Sequence, residues 1–180
     1  MKLYYITTLV LLLLFTGCSK QPVVPQEPKQ LTEAYLLKNI NSRYIKDLNI
    51  TAVYPLSYSE SVKLNDQNAT ITTTLVAIMQ GDLNATLQKS SIQVRCTLVG
   101  SSWGDFKTAL DKNGNSLVVR PTTSNIRDGQ FSDNFIIDIT PEQLEIYADE
   151  DADFLLLGAD RELLINIPAI YFGALYRYLL

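Results

Sequence analysis

Few residues in this chain could do chemistry, and histidine is absent from all 180 positions. Histidine is the commonest general base and the usual transition-metal ligand, so Ser-His and Cys-His nucleophile pairs are excluded. The only cysteines, Cys18 and Cys96, stand far apart in different surroundings. The sequence therefore predicts no catalytic residue, no metal ion and no cofactor. A mechanism built on carboxylates or on a Ser-Lys pair stays open.

Cys18 comes directly after the most hydrophobic segment of the chain. The apolar run LYYITTLVLLLLF at 3–15 follows Met-Lys and precedes the small residues Thr-Gly at 16–17. Such a run suits a secretory signal and is shorter than the ~20 residues that span a bilayer. The pattern resembles the lipobox of bacterial lipoproteins, with Phe15 where that family usually has Leu. An ordinary signal peptide or an N-terminal membrane helix is the alternative.

This resemblance implies that signal peptidase II removes residues 1–17 and that Cys18 carries a diacylglyceryl thioether and an N-acyl chain such as palmitate. Two or more acyl chains hold a protein stably on a bilayer, which is the expected partner. Ser19 follows the cysteine where Asp would signal retention. The resemblance therefore implies a lipoprotein anchored in the outer membrane on the periplasmic side, with surface exposure left open.

Residues 18–30, CSKQPVVPQEPKQ, place a proline at every third position from 22 to 28. This spacing favours an extended polyproline II segment, which predicts a tether, with a PxxP ligand for a partner as the alternative. Residues 31–180 are long enough for one domain with its own core. A lipidated Cys18 leaves Cys96 without a disulfide partner, so packing must stabilise this domain.

Three stretches share the pattern Asp-x-Asn-x-Thr: DLNIT at 47–51, DQNAT at 66–70 and DLNAT at 82–86. They contain the only Asn-x-Ser/Thr sequons, at Asn49, Asn68 and Asn84. The pattern resembles the extended acceptor sequon of the bacterial single-subunit oligosaccharyltransferase, which implies that an arginine of the enzyme reads the acid and a separate pocket reads the Thr. Alternatively, Asp and Asn simply favour turns. Both interpretations place the three stretches on the surface.

The charge of the chain and the alternation of apolar residues around Cys96 limit which partners and which reactive residues we expect. The net charge is −4 without a basic cluster, which argues against nucleic acid as a partner. Cys96 alternates with Ile92, Val94 and Leu98, so we expect a buried thiol in a strand, with Arg95 on the opposite face.

Two loops carry weaker signals. Asp149, Asp151, Asp153 and Asp160 match positions 1, 3, 5 and 12 of a calcium loop, but position 6 is not the Gly that its turn needs. We therefore expect a solvated loop between the helix from Thr140 and a strand that begins with DFLLLGA at 153–159. Trp103, the single tryptophan, lies near Asp105 in SSWGDF and either closes one end of the core or binds a ligand.

Periodicity predicts the elements that position these residues. The sequence predicts three helices: one at 31–47 with Thr32 as N-cap, one that begins at Thr140, and a core-packing helix at 169–180. Single strands are predicted at 49–59, 69–80, 90–100 and 134–139. Two hairpins are predicted, one joining 106–111 to 116–121 through Asn113-Gly114 and one around 158–161. The fold class is α+β, a single domain with a mostly antiparallel sheet of about seven strands covered by two or three helices.

Two functional classes remain. A lipid anchor, a tether and no catalytic set favour a non-enzymatic structural or accessory component of an envelope assembly, with an envelope protein as partner. The alternative is a binding module for a small ligand or a cell-wall glycan, or a carboxylate-based hydrolase. A pocket above about 300 Å³ with converging polar groups would favour the alternative.

Overall fold

Ten strands and three α-helices make up the fold in a computed structural model that describes residues 31–81 and 90–180. In chain order they are α1 (Glu33–Lys38), β1 (Asn41–Ile45), a 3-10 turn (Lys46–Leu48), β2 (Ile50–Tyr54), β3 (Tyr58–Leu64), β4 (Gln67–Gln80), β5 (Ser90–Gly100), β6 (Thr108–Asp111), β7 (Ser116–Arg127), β8 (Gln130–Ile139), α2 (Pro141–Asp149), β9 (Ala152–Leu157), β10 (Glu162–Ile167) and α3 (Ala169–Leu179). Within these ranges, no helix combines the length and the apolarity needed to cross a membrane.

The strands form a single antiparallel sheet in the order β1-β2-β4-β5-β8-β7-β6-β9-β10. One edge of β4 is shared by two strands: β3 pairs with its first half, and β2 pairs with its last residues. The sheet curls until β10 lies beside β3, where the Glu60 carboxylate accepts a hydrogen bond from the Asn166 amide at 3.3 Å. Curling encloses the apolar side chains of the strands on one side.

Helix α3 fills the space that the curled sheet leaves. Phe172, Ala174 and Leu175 are fully buried, and both α1 and α2 pack against this helix. The ring of Tyr147 in α2 lies edge-on to Phe172 and to Phe154 of β9, with ring centroids 5.3 and 5.6 Å away. The predicted core-packing role of the closing helix is confirmed.

The predicted helix at 31–47 is wrong beyond Lys38. Thr32 is indeed the N-cap and accepts a hydrogen bond from the Tyr35 amide at 3.2 Å. Asn39 then ends the helix, because its side chain donates to the Tyr35 carbonyl at 2.7 Å and satisfies a terminal acceptor. The next residues form β1, which pairs with β2. A local hairpin between β1 and β2 has overridden a helical spacing of apolar residues.

The sheet has more strands than the seven predicted because residues 41–45 form β1 where a helix was expected and because β2 and β3 replace the single strand predicted at 49–59. Asn65-Asp66 joins β3 to β4 and Asp128-Gly129 joins β7 to β8, all four residues having positive φ. Two-residue turns of this kind match the twist of paired strands. β7 also continues past Pro121 through a register shift, where the sequence predicts an end.

The remaining elements agree with the sequence. The hairpin through Gly114, the strand at 90–100, the hairpin around 158–161 and the capping box of Thr140 and Gln143 are confirmed. The predicted strand at 49–59 divides at Pro55 into β2 and β3. The α+β class and the antiparallel sheet with three helices are therefore correct.

Candidate functional site

A cavity of about 380 Å³ opens where three connections of the sheet meet. They are the loop at 101–107 between β5 and β6, the base of the β7–β8 hairpin, and the turn at 158–161 between β9 and β10. The polar or aromatic side chains that line the cavity include Trp103, Asp105, Ser124, Asp133, Asp160 and Arg161. We call it the Trp103 cavity.

Two contacts hold Trp103 in place. Its carbonyl oxygen accepts a hydrogen bond from Nη1 of Arg161. Its ring meets the ring of Phe131 edge-on, with centroids 4.7 Å apart and an interplanar angle of 80°. Gly104 follows, and a Cβ there would lie 2.6 Å from the ring of Phe106, so the loop needs a glycine at this point. The tryptophan is therefore fixed before any ligand arrives.

Asp133 connects the loop to the hairpin. Its Oδ2 accepts a hydrogen bond from the Gly104 amide at 2.5 Å, and its Oδ1 accepts one from Oγ of Ser124 at 2.6 Å. The residue is buried, so these donors satisfy a carboxylate that would otherwise be costly to bury. The neighbouring Asn134 is likewise used internally, since its Oδ1 accepts from Oγ1 of Thr97 at 2.7 Å. Both residues shape the cavity.

The polar groups at the mouth are held more loosely. Asp105, at a left-handed φ of 46°, pairs with Lys107 at 2.6 Å, and Asp160 pairs with Nε of Arg161 at 3.0 Å. The hydrogen bond and positive charge of Arg161 lower the pKa of the Asp160 carboxyl. The carboxylates of Asp105 and Asp160 are 59% and 74% exposed, whereas the Arg161 side chain is only 17% exposed. Exposed carboxylates gain little from such pairs, so these two can exchange partners with a ligand. The mouth therefore offers both acceptors and donors.

Cys96 takes no part in this site. It is buried in β5 on the face predicted from the sequence, while Arg95 is exposed on the other face. Burial raises the pKa of its thiol to about 12, and a contact with Thr73 opposes this only in part. The thiol is therefore protonated at neutral pH and unsuited to nucleophilic attack.

The predicted glycosylation sites lie away from the cavity and differ from one another. Asn49 is exposed in the turn between β1 and β2, but the Thr51 of its sequon is only 1% exposed, contrary to the expectation of a surface stretch. Asn68 is exposed near the start of β4. Asn84, like Cys18 and the tether at 18–30, lies outside the described residues.

The acidic stretch at 149–160 is not arranged as a calcium loop. Strand β9 runs through it and buries Phe154 completely. Asp151 accepts a hydrogen bond from the Ala169 amide and Asp153 accepts one from Nδ2 of Asn166, both at 2.8 Å. In the part of the chain that the structure describes, no three acidic or cysteine side chains are grouped closely enough to hold a metal ion.

Sequence reasoning found Trp103 and Asp105 but missed Asp133, Ser124 and Arg161. The sequence contains one signal that could have identified Asp133, which shares the inward face of β8 with Phe135 and Ile137. A carboxylate on an apolar face needs donors from elsewhere in the fold. Nothing in the local sequence indicates that Gly104 and Ser124 are those donors.

The chain was also compared with known proteins, and no protein-family model, curated protein or solved structure matches it. The functional interpretation therefore depends on the geometry of the Trp103 cavity and on the sequence signals.

Proposed function

We propose that this protein is a non-enzymatic lipoprotein of the bacterial outer membrane that binds a small saccharide, such as a fragment of cell-wall glycan, in the Trp103 cavity. The observation that carries the proposal is this cavity, in which a fixed aromatic ring and both signs of charge meet. Its volume of about 380 Å³ lies within the range of small-molecule sites.

A saccharide fits this lining better than a purely apolar ligand. A sugar ring has an apolar face of C–H groups, which packs on an aromatic ring, and a rim of hydroxyls, which need donors and acceptors. Trp103 provides the ring, and Asp105, Asp160 and Arg161 provide the polar partners at the mouth. The buried Asp133 keeps the loop in position without contributing a free group.

The anchor proposal comes from the sequence alone. The lipobox resemblance at Cys18 and the proline-rich segment at 18–30 support a lipid-anchored domain on a short tether. Glycans on Asn49, Asn68 and Asn84 are part of the same proposal. The three stretches resemble the acceptor sequon of a bacterial oligosaccharyltransferase, and that enzyme acts in the periplasm. Attached glycans would make the domain more soluble.

A second candidate function is that of an accessory subunit of an envelope assembly. The observation that favours it is the β7–β8 hairpin, whose residues 120–130 are all exposed. Ile126 near its tip is 61% exposed, so the hairpin offers an apolar contact to a protein partner. This role and saccharide binding are compatible, since the base of the same hairpin lines the cavity.

Tryptophan fluorescence tests the saccharide proposal directly, because Trp103 is the only tryptophan in the chain. Cell-wall oligosaccharides titrated into the purified lipoprotein are expected to change its emission in a saturable way. Calorimetry of Trp103→Ala is expected to show at least a tenfold weaker affinity. Gln130→Ala, which lies outside the cavity, is the matched control and is expected to bind normally.

Three outcomes decide the matter. Saturable binding that requires Trp103 supports the proposal. No binding at millimolar saccharide, or equal binding by Trp103→Ala, would overturn it and leave the accessory role. Release of shortened sugars during the titration would instead establish a carboxylate-based hydrolase, and substitution of Asp105 or Asp160 with Asn would then be expected to stop turnover.

A further inference from the structure

The second sequon presents all three of its recognition residues together. Asp66 lies in the turn between β3 and β4, and Asn68 and Thr70 follow on β4. All three are exposed, while the intervening Ala69 is buried. Because side chains of a strand alternate between its faces, Asn68 and Thr70 point to the same side. An enzyme could therefore read the amide and the hydroxyl from one direction, with the exposed acid in the turn just before them.

There is also room beside Asn68. The pairing between β4 and β5 ends at Thr70 and Val99, two residues after Asn68 in β4. A groove of about 470 Å³ lies at this point, lined by Asn68, Thr70, Gly100 and Ser101 among others. On its other edge, Asn68 stands opposite Lys63, close to the hairpin turn. The acceptor therefore lies near the end of a hairpin, where local opening is easiest.

The first sequon is presented quite differently. Thr51 is 1% exposed, and its Oγ1 donates a hydrogen bond to the Gly81 carbonyl at 2.9 Å. Oδ1 of Asn49 accepts a hydrogen bond from the Tyr44 hydroxyl at 2.9 Å, and the residue has a left-handed φ of 50°. An enzyme that must contact both the amide and the hydroxyl cannot reach this threonine while the sheet is intact.

We infer that, of the two sequons that the structure describes, Asn68 is the one that accepts a glycan in the folded domain, whereas Asn49 accepts a glycan only before the domain folds. This inference rests on the proposed glycosylation and adds an order of events to it. The co-substrate is an oligosaccharide activated as a polyprenyl pyrophosphate. A bond forms between Nδ2 of Asn68 and the anomeric carbon, the bond from that carbon to the pyrophosphate oxygen breaks, and the amide proton leaves to a base.

The test uses the full chain, purified in detergent from a host without the transferase and carrying Asn84→Gln to remove the third sequon. Circular dichroism confirms that the variant is folded. The protein is incubated with the bacterial oligosaccharyltransferase and its lipid-linked oligosaccharide, and mass spectrometry of glycopeptides follows each site. Peptides cut from the same chain show whether each sequence is accepted when unfolded.

We expect the folded protein to be modified at Asn68 at least tenfold faster than at Asn49, and the peptides to be modified at both. Adding Asn68→Gln is expected to leave the folded chain unmodified, whereas adding Asn49→Gln is expected to leave the rate at Asn68 unchanged. A core variant, Phe172→Ala, raises the unfolded fraction and is expected to raise the rate at Asn49.

The possible failures are distinguishable. Equal rates at Asn49 and Asn68 in the folded protein would overturn the inference and leave the glycosylation proposal intact. Modification of both peptides, with no modification of Asn49 or Asn68 in the folded protein, would also overturn the inference and leave the glycosylation proposal intact. If neither the peptides nor the folded chain accept a glycan, the glycosylation proposal itself is wrong and the inference fails with it.

Discussion

At the scale of single residues, burial determines which groups in this domain can react. Cys96 lies within the hydrophobic core, and Tyr147 places its ring there as well. The Tyr147 hydroxyl is buried near the Asp111 carboxylate, whose oxygens accept hydrogen bonds from Asn113 and Asn115, and it makes no well-formed hydrogen bond of its own among the described residues. Both side chains are therefore held in their neutral forms, because ionisation would leave an unsolvated anion in the core at Cys96 and a second negative charge beside Asp111 at Tyr147.

Cys96 is expected to be inert to alkylation while the protein is folded. Burial raises the pKa of its thiol to about 12, so hardly any thiolate is present at pH 8. Iodoacetamide at pH 8 should leave the folded Cys18→Ser variant unmodified and should label it stoichiometrically in urea, as measured by intact mass. The double variant with Cys96→Ser is the control. Rapid labelling of the folded chain would show that β5 is exposed.

Replacing Tyr147 with Phe tests the buried hydroxyl. Removing an unsatisfied polar group should raise the free energy of unfolding at pH 7 by about 1 kcal/mol. Burial, with a contribution from the charge of Asp111, raises the pKa of Tyr147 to about 12. The folded form therefore binds more protons than the unfolded form above pH 10, and wild-type stability falls there.

Urea unfolding of both proteins at pH 7 and at pH 11 measures this effect. The difference in the free energy of unfolding between the two proteins at each pH cancels the contributions of Cys96 and of the other tyrosines, which both proteins share. The advantage of Tyr147→Phe is expected to be larger at pH 11. An advantage that is the same at pH 7 and pH 11 would mean that the pKa of the hydroxyl is not shifted and that the group is solvated in the folded protein.

At the scale of elements, local signals near caps and turns were the most reliable. Thr140 accepts a hydrogen bond from the Gln143 amide at 3.2 Å, and the Gln143 side chain accepts one from the Thr140 amide at 2.8 Å. Asn113-Gly114 forms its turn with Asp111, whose Oδ1 accepts from the amides of Asn113 and Asn115. These interactions are nearly complete within a few residues, so the sequence can specify them without the rest of the fold.

Substitution of Thr140 with Ala is expected to lower the free energy of unfolding by about 1 kcal/mol, because the amide of Gln143 loses its acceptor. Thr140→Ser keeps the hydroxyl and should change stability by much less. Thermal or urea unfolding followed by circular dichroism compares the three proteins. Equal losses in the two variants would assign the effect to the methyl group of Thr140 and would contradict a capping role.

At the scale of the whole molecule, the curled sheet and the helices share one hydrophobic core. Phe172 of α3 lies at its centre, in contact with the ring of Tyr147. The Trp103 cavity lies where the β5–β6 loop and the β9–β10 turn meet strands β7 and β8. A shared core predicts that helices and sheet unfold together.

Phe172→Ala is expected to lower the free energy of unfolding by about 3–5 kcal/mol, because it leaves a large cavity in a closely packed core. Leu164→Ala, at a side chain that is 60% exposed, is the matched control and should change it by less than about 0.5 kcal/mol. Circular dichroism and Trp103 fluorescence should report the same urea midpoint. Two separate midpoints would show that the Trp103 loop unfolds independently of the core.

What the sequence determined by itself was the local part of the fold. It specified the face of β5 that buries Cys96, the hairpin at Gly114, the helix capped by Thr140 and the α+β class, because alternation, turn residues and caps act over short distances. The lipid anchor at Cys18 and the glycans are also sequence signals, and they stay predictions.

Only the tertiary structure decided what depends on distant residues. The burial of Thr51 followed from its bond to the Gly81 carbonyl, thirty residues away in the sequence. The Trp103 cavity is formed by Asp133 and Arg161, which approach the loop from two different parts of the chain. The physical reason is the same in each case: hydrogen-bond partners in a sheet are chosen by the packing of the whole core, which no local pattern encodes.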